Sequence, residues 1–187
     1  MKVLQVHNRY RYRGGEDAVF EGTLRLLHAH GVDAAPFEKT SQDIQDTFLQ
    51  KLQAVFTGIY SPSSGREMAQ VLAAERPDVV HIHNLFPLLS PSVLAACRKA
   101  GVPVVMTCHN FRLICPIGVH FRSGHVCERC LDGREYWCML KNCRGSRLES
   151  MAYAMRGMMT RRFGLFKNNV TCFIAISDFL KRRLVAQ

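Results

Sequence analysis

Short apolar runs alternate with amphipathic stretches along most of the chain. Residues 2–6, 32–37, 78–84, 102–107 and 170–176 are strand-length runs rich in Val, Ile and Phe, the pattern of strands buried in a sheet. The stretches between them repeat apolar positions at helical spacing. Residues 16–30 put Val19, Phe20, Leu24 and Leu27 on one face, and Gly31 follows as a C-terminal stop. Residues 64–75 run up to Arg76-Pro77, where proline ends the helix. Ser90-Pro91 caps and starts a helix that reaches Ala100 and stops at Gly101. Residues 147–166 carry Met151, Ala154, Met155, Met158 and Met159 as their apolar side, and residues 178–186 form a last helix. Residues 41–60 are ambiguous: a helix over 42–52 and a short strand near 55–56 both fit.

Strands that alternate with helices predict parallel β-α-β units with right-handed crossovers. The expected fold is α/β: a doubly wound, mostly parallel, Rossmann-like sheet with helices on both faces. It forms a single domain over residues 1–187 with a Cys-rich insertion at about 111–147. Ligands of such sheets bind outside the carboxyl ends of the strands. Here those ends are residues 8–15, His83-Asn84, His109-Asn110 and Ser177-Asp178.

Composition narrows the partners. Hydrophobic residues at 48% with 21% charged fit a folded globular chain. No apolar run reaches the roughly 18 residues that span a bilayer. The first run is also too short for a secretory signal, so a cytoplasmic location is expected. The net charge of +10 is spread over Arg9, Arg11 and Arg13, then Arg156, Arg161 and Arg162, then Lys181, Arg182 and Arg183. No nucleic-acid-binding module is visible, so nucleic acid is not an expected partner. A solvated basic surface, peripheral contact with an anionic inner membrane face, and a phosphate-bearing substrate stay open.

Two patterns carry chemistry. Arg13-Gly14-Gly15-Glu16 follows the first strand and opens the first helix, where free N–H groups and close backbone approach suit a phosphate. The dinucleotide spacing G-x-G-x-x-G is absent, and a plain turn is the competing reading. His83 and His109 each close a strand at the expected ligand edge, placed to bond a sugar hydroxyl or a phosphate. His81 points to the same face as His83 and is expected to be covered by a helix. The second pattern is the C-x2-C pair Cys127-Glu128-Arg129-Cys130, with Cys115 twelve positions before it and Cys143 thirteen after. Thiolates so spaced suit a closed, structural tetrahedral Zn²⁺ formed by Cys115, Cys127, Cys130 and Cys143, with Cys138 as a fifth candidate. Incidental free thiols are the alternative. Cys97 and Cys172 are expected as small core residues.

In order and spacing these pieces resemble the N-terminal, acceptor-side domain of a GT-B fold glycosyltransferase of family 4. The matching stretches are the first strand with Arg13-Gly14-Gly15-Glu16-Asp17, then Pro77-Asp78-Val79-Val80-His81-Ile82-His83-Asn84. They continue with Val104-Val105-Met106-Thr107-Cys108-His109-Asn110-Phe111 and Cys115-Pro116, and end with Phe173-Ile174-Ala175-Ile176-Ser177-Asp178-Phe179-Leu180. The resemblance implies a retaining, hexosyltransferase-like enzyme that moves a sugar from a nucleotide sugar to a glycan or lipid-linked acceptor in cell-surface or exopolysaccharide assembly. It implies Gly14-Gly15 beside the donor phosphates, His109 as the catalytic residue beside the transferred sugar, and no metal in the transfer step. Relatives with a similar cysteine-bearing loop occur in the family, which supports the four-cysteine set. Arg13, Glu16, His83, Asn84, Asn110 and Ser177 complete the expected donor- or acceptor-binding residues. The chain ends at Gln187, where a linker to a C-terminal donor-binding domain is expected. That domain is absent from this sequence, so the chain alone is expected to lack efficient transfer. A non-catalytic, zinc-stapled glycan- or partner-binding module is the alternative function.

Overall fold

A computed structural model describes residues 1–10, 12–40 and 59–187. Arg11 and the helix or strand expected within 42–56 lie outside the described residues. In chain order the elements are β1 (Lys2–Arg9), α1 (Gly15–Ala29), β2 (Asp33–Thr40), α2 (Pro62–Glu75), β3 (Val79–Asn84), α3 (Ser92–Lys99) and β4 (Val104–Cys108). Then come β5 (Phe121–Arg122), β6 (His125–Val126), a 3₁₀ turn (Leu131–Gly133), α4 (Tyr136–Leu140), α5 (Arg147–Arg162), β7 (Cys172–Ala175) and α6 (Asp178–Val185). The described residues group into two compact units, 1–107 with 165–174, and 108–164 with 175–187.

The first unit is built on the sheet β2-β1-β3-β4-β7. β1 pairs in parallel with β2 and β3, and β3 with β4. Thr171 N–H donates to the Val104 carbonyl at 2.8 Å, where β7 meets the edge of β4. Topologically the chain steps from β1 outward to β2, then back across β1 to β3. With right-handed crossovers this reversal sends α1 to one face and α2 and α3 to the other. α1 packs on β1, β2 and β3, and α2 packs on α3. The fold is the expected Rossmann-like α/β sheet, and the reversal places its topological switch point between β1 and β3.

Local chemistry sets the boundaries. Ser61 caps α2 through the Ser64 N–H at 3.4 Å, with proline at the first helical position. A buried serine cluster ties the starts of α2 and α3 together. The Ser90 hydroxyl accepts from Ser61 N–H at 2.8 Å, and the Ser92 hydroxyl donates to the Ser61 carbonyl at 2.5 Å. Gly31 and Gly101 close α1 and α3 with φ of 69° and 72°, the left-handed backbone for which glycine is suited.

Three expectations are corrected here. β1 runs on past the expected end at residue 6 through His7, Asn8 and Arg9, because their backbones continue the ladder to Thr40 of β2. Cys97 is fully buried as expected, whereas Cys172 is exposed. In α5 the methionines do not form the buried side: Met151, Met155 and Met158 are exposed, and the buried positions are Ser150, Ala152, Ala154 and Arg156. Small residues let α5 pack closely on α4. Arg156 tolerates burial because its guanidinium donates to the Pro116 carbonyl at 3.1 Å and lies 4.5 Å from the Tyr153 ring centre.

Candidate functional site

The carboxyl ends of β1 and β3 flank the switch point, and the first unit concentrates buried polar groups there. His7, on β1, is fully buried and stacks on Phe20 of α1 at 4.9 Å. Its Nε2–H donates to Asp17 Oδ1 at 2.9 Å. The other carboxylate oxygen of Asp17 accepts the Gly14 N–H at 2.7 Å, so one carboxylate joins the end of β1 to the start of α1. Burial opposes the charge of Asp17, but the Gly14 N–H, His7 and Arg9 outweigh it and hold the carboxyl below its ordinary value of 3.8. Arg9 donates to Glu38 through Nε and to Glu21 through Nη1 at 2.7 Å, and Arg13 donates to the second Glu21 oxygen at 2.6 Å. Glu21 thus ties the two arginines into one network.

His83 lies on the same face. The register between β1 and β3 slips at this point: Val6 pairs with Ile82 but His7 pairs with Asn84, leaving His83 as the extra residue. Such bulges re-aim a side chain. Here the His83 ring sits edge-on to His7 (6.2 Å) and Phe20 (5.5 Å) and 4.3 Å from His81. His81 is half-buried rather than fully covered, and its Nε2 lies 2.8 Å from the Thr107 hydroxyl. Gln5, also on this face, is fully buried, and neither end of its amide finds a hydrogen-bond partner among the described residues. The Nδ1 atom of His7 likewise has none. A stripe of buried polar atoms under α1 is uncommon in a core built only for packing.

The expected residues fare differently within this unit. Asn84 is buried and its amide is engaged in the turn after β3, donating to the Asn8 and Phe86 carbonyls and accepting from Phe86 N–H. The Gly14 N–H is taken by Asp17, while a Cβ on Gly15 would meet nothing within 4 Å. Of the paired glycines, Gly15 therefore leaves the open approach to the helix start. Glu16 sits half-buried in the first turn of α1, and Arg13 is exposed. Sequence reasoning did not single out His7 and Asp17 as site residues. The signal for Asp17 was an acidic residue three positions after the glycine that caps the helix.

The second unit holds the remaining candidates. His109 and Asn110 are half-buried. Asn110 Oδ1 accepts the Arg112 N–H at 2.9 Å and braces the turn after β4. Ser177 caps α6 by accepting the Leu180 N–H at 3.2 Å. Cys115, Cys127, Cys130, Cys138 and Cys143 all line one cavity of about 90 Å³. Burial, followed by the charges of Cys115, Cys143 and Cys127, pushes the Cys130 thiol up to about 12. Burial likewise raises Cys138 to about 12. His120, between these cysteines in sequence, is buried against Phe111 at 4.9 Å, and neither ring nitrogen has a hydrogen-bond partner among the described residues.

The family model described as Glycosyltransferase Family 4 matches residues 26–187, most of the chain. No curated protein matches. No solved structure matches. Among the described residues no helix is long and apolar enough to cross a membrane.

Proposed function

Since this chain belongs to glycosyltransferase family 4, we propose that it supplies the acceptor-side half of a retaining, hexosyltransferase-like enzyme. The enzyme moves a sugar from a nucleotide sugar to a hydroxyl of a glycan or lipid-linked acceptor in surface-polysaccharide assembly. The bond from the anomeric carbon to the diphosphate oxygen breaks, and a bond to the acceptor oxygen forms on the same face. The acceptor proton leaves with the nucleoside diphosphate. The observation that supports this reading most is the polar cluster at the switch point between β1 and β3, where sheets of this topology bind ligands.

The proposed roles follow from what each group has left to offer. Gly15 opens the N-terminus of α1 to the donor diphosphate, with Arg13 adding an exposed cation. His7 and Asp17 hold that helix start in place through the Gly14 N–H. Charge developing on the departing diphosphate is stabilised by groups already fixed before reaction. His109 follows the buried strand β4 directly and contacts the transferred sugar, as the family resemblance implies. An anionic membrane surface is a proposed peripheral partner. Supporting it, α5 presents exposed Leu148, Met151, Met155 and Met158 together with exposed Arg147, Arg161 and Arg162.

The test is incorporation of radiolabelled sugar by the whole gene product, compared with His109→Ala. Loss of at least about a hundredfold in turnover with unchanged folding is expected for a group acting on the transition state. Equal turnover would remove His109 from the reaction. Retained glycan binding with no transfer from any nucleotide sugar would favour a binding module instead.

A further inference from the structure

We propose that Cys115, Cys127, Cys130 and Cys143 bind one Zn²⁺ as a closed four-thiolate site that holds residues 109–146 in their fold. This is independent of sugar transfer and lies wholly within the second unit.

The segment needs such a staple. Between His109 and Ser146 its longest regular element is the five-residue α4, and its only strands are the two-residue partners β5 and β6. Val119, Phe121, Val126, Tyr136, Met139 and Leu140 are all exposed. A stretch this poor in buried apolar area is not held by a hydrophobic core of its own. Five cysteines nevertheless converge from three turns and α4 onto one cavity of about 90 Å³. That volume suits an ion with its ligands and is far below the few hundred Å³ of a small-molecule pocket. Cys115 arrives on a tight turn whose N–H donates to the Phe111 carbonyl at 2.7 Å. Cys127 leaves the β5–β6 hairpin, held by its N–H to the His120 carbonyl at 3.0 Å, and Cys130 follows after a turn closed between Leu131 and Glu128. A hairpin followed by C-x2-C is a chelating arrangement, because two thiolates from one turn reach one metal.

Among the described residues no group of three or more His, Cys, Asp or Glu stands ready to hold a metal ion. The thiols share the cavity but must rotate into it to reach the roughly 2.3 Å bond length of zinc thiolates. Four thiolates on Zn²⁺ leave a net charge of −2, and the surroundings are cationic. Arg122 donates to the Cys143 sulfur at 3.4 Å. Arg129 and Lys141 line the adjoining depression together with Cys127. The Arg122 contact favours Cys143 as the fourth ligand. Cys138 is almost wholly buried in α4 and lines the same cavity, as the fifth thiol beside the proposed set.

The test uses the full chain, purified from zinc-supplemented cells without chelators, with metal measured by plasma mass spectrometry. One zinc per chain is expected in the wild type and in Cys138→Ser, Cys97→Ser and Cys172→Ser, and none in Cys127→Ser or Cys130→Ser. If those two variants do not fold, wild-type protein stripped of metal and reloaded with Co²⁺ alone decides. Intense tetrahedral visible bands and a strong sulfur-to-cobalt charge-transfer band are expected. The proposal is overturned by folded wild type that binds neither metal, or by an intact mass two hydrogens short of the reduced chain, which marks a disulfide. Zinc kept by Cys143→Ser but lost by Cys138→Ser overturns the ligand set.

Discussion

Replacing Asp17 by alanine removes the carboxylate that joins β1 to α1. The His7 Nε2–H then has no acceptor in a fully buried position, which costs about 1–3 kcal/mol. The Gly14 N–H also loses its partner, but Gly14 is exposed and water replaces that bond. The negative charge at the helix start is lost as well, worth about 0.3–1 kcal/mol. The sum is about 1–4 kcal/mol, a large share of the roughly 5–15 kcal/mol that holds a domain folded. With a urea dependence of about 2 kcal/mol per molar, the midpoint followed by far-ultraviolet circular dichroism should fall by about 0.7–2 M. Asp17→Asn keeps one acceptor oxygen and should lose about half as much. The pH dependence carries a sign. The Asp17 carboxyl is held below its ordinary 3.8 in the fold, so its charge stabilises the protein above that value. The contribution disappears as pH falls through the lower folded value. The wild type should therefore lose more stability below about pH 4 than Asp17→Asn does. A midpoint for Asp17→Ala within about 0.2 M of wild type would refute the buried network. So would identical acid profiles for wild type and Asp17→Asn.

The glycines at two helix boundaries should behave oppositely. Gly101→Ala forces a side chain onto a backbone at φ 72° and should lower stability by about 1–2 kcal/mol, read as the urea midpoint. Gly15→Ala meets nothing within 4 Å and should change stability by less than about 0.5 kcal/mol while raising KM for the nucleotide sugar. An unchanged KM would take the donor away from the start of α1. Thiol labelling with a disulfide reagent at pH 8 should separate the two cysteines outside the cluster and its strand. Burial pushes Cys97 up to about 12 and Cys172 is exposed, so Cys172→Ser should remove a fast phase and Cys97→Ser should not.

The sheet was legible because buried parallel strands read as apolar runs and because Gly31, Pro77 and Gly101 punctuate the helices between them. The end of β1 was not. His7, Asn8 and Arg9 look like loop, yet each finds a partner that permits burial or half-burial: Asp17 for His7, the Leu88 N–H for Asn8, Glu21 and Glu38 for Arg9. Those partners are distant in sequence or across elements, so no local pattern announces them. The register slip at His83 is a property of two strands together. The methionines of α5 misled because helical spacing identifies a stripe without saying which stripe is buried. Small side chains and the satisfied guanidinium of Arg156 decided that in favour of the other side. α4, with Trp137 and Cys138, spans five residues, too short for a periodic signal.

Sugar transfer is tested most directly by following the whole gene product in one tube by proton magnetic resonance, with a panel of nucleotide sugars and a glycan or lipid-linked acceptor. Wild type should consume one donor and place its sugar on the acceptor with the anomeric configuration the donor had. His109→Ala should leave that donor intact over the same time. An inverted product would contradict the retaining reaction. Donor turnover unaffected by His109→Ala would contradict the assigned site, and no consumption of any nucleotide sugar would contradict transfer itself.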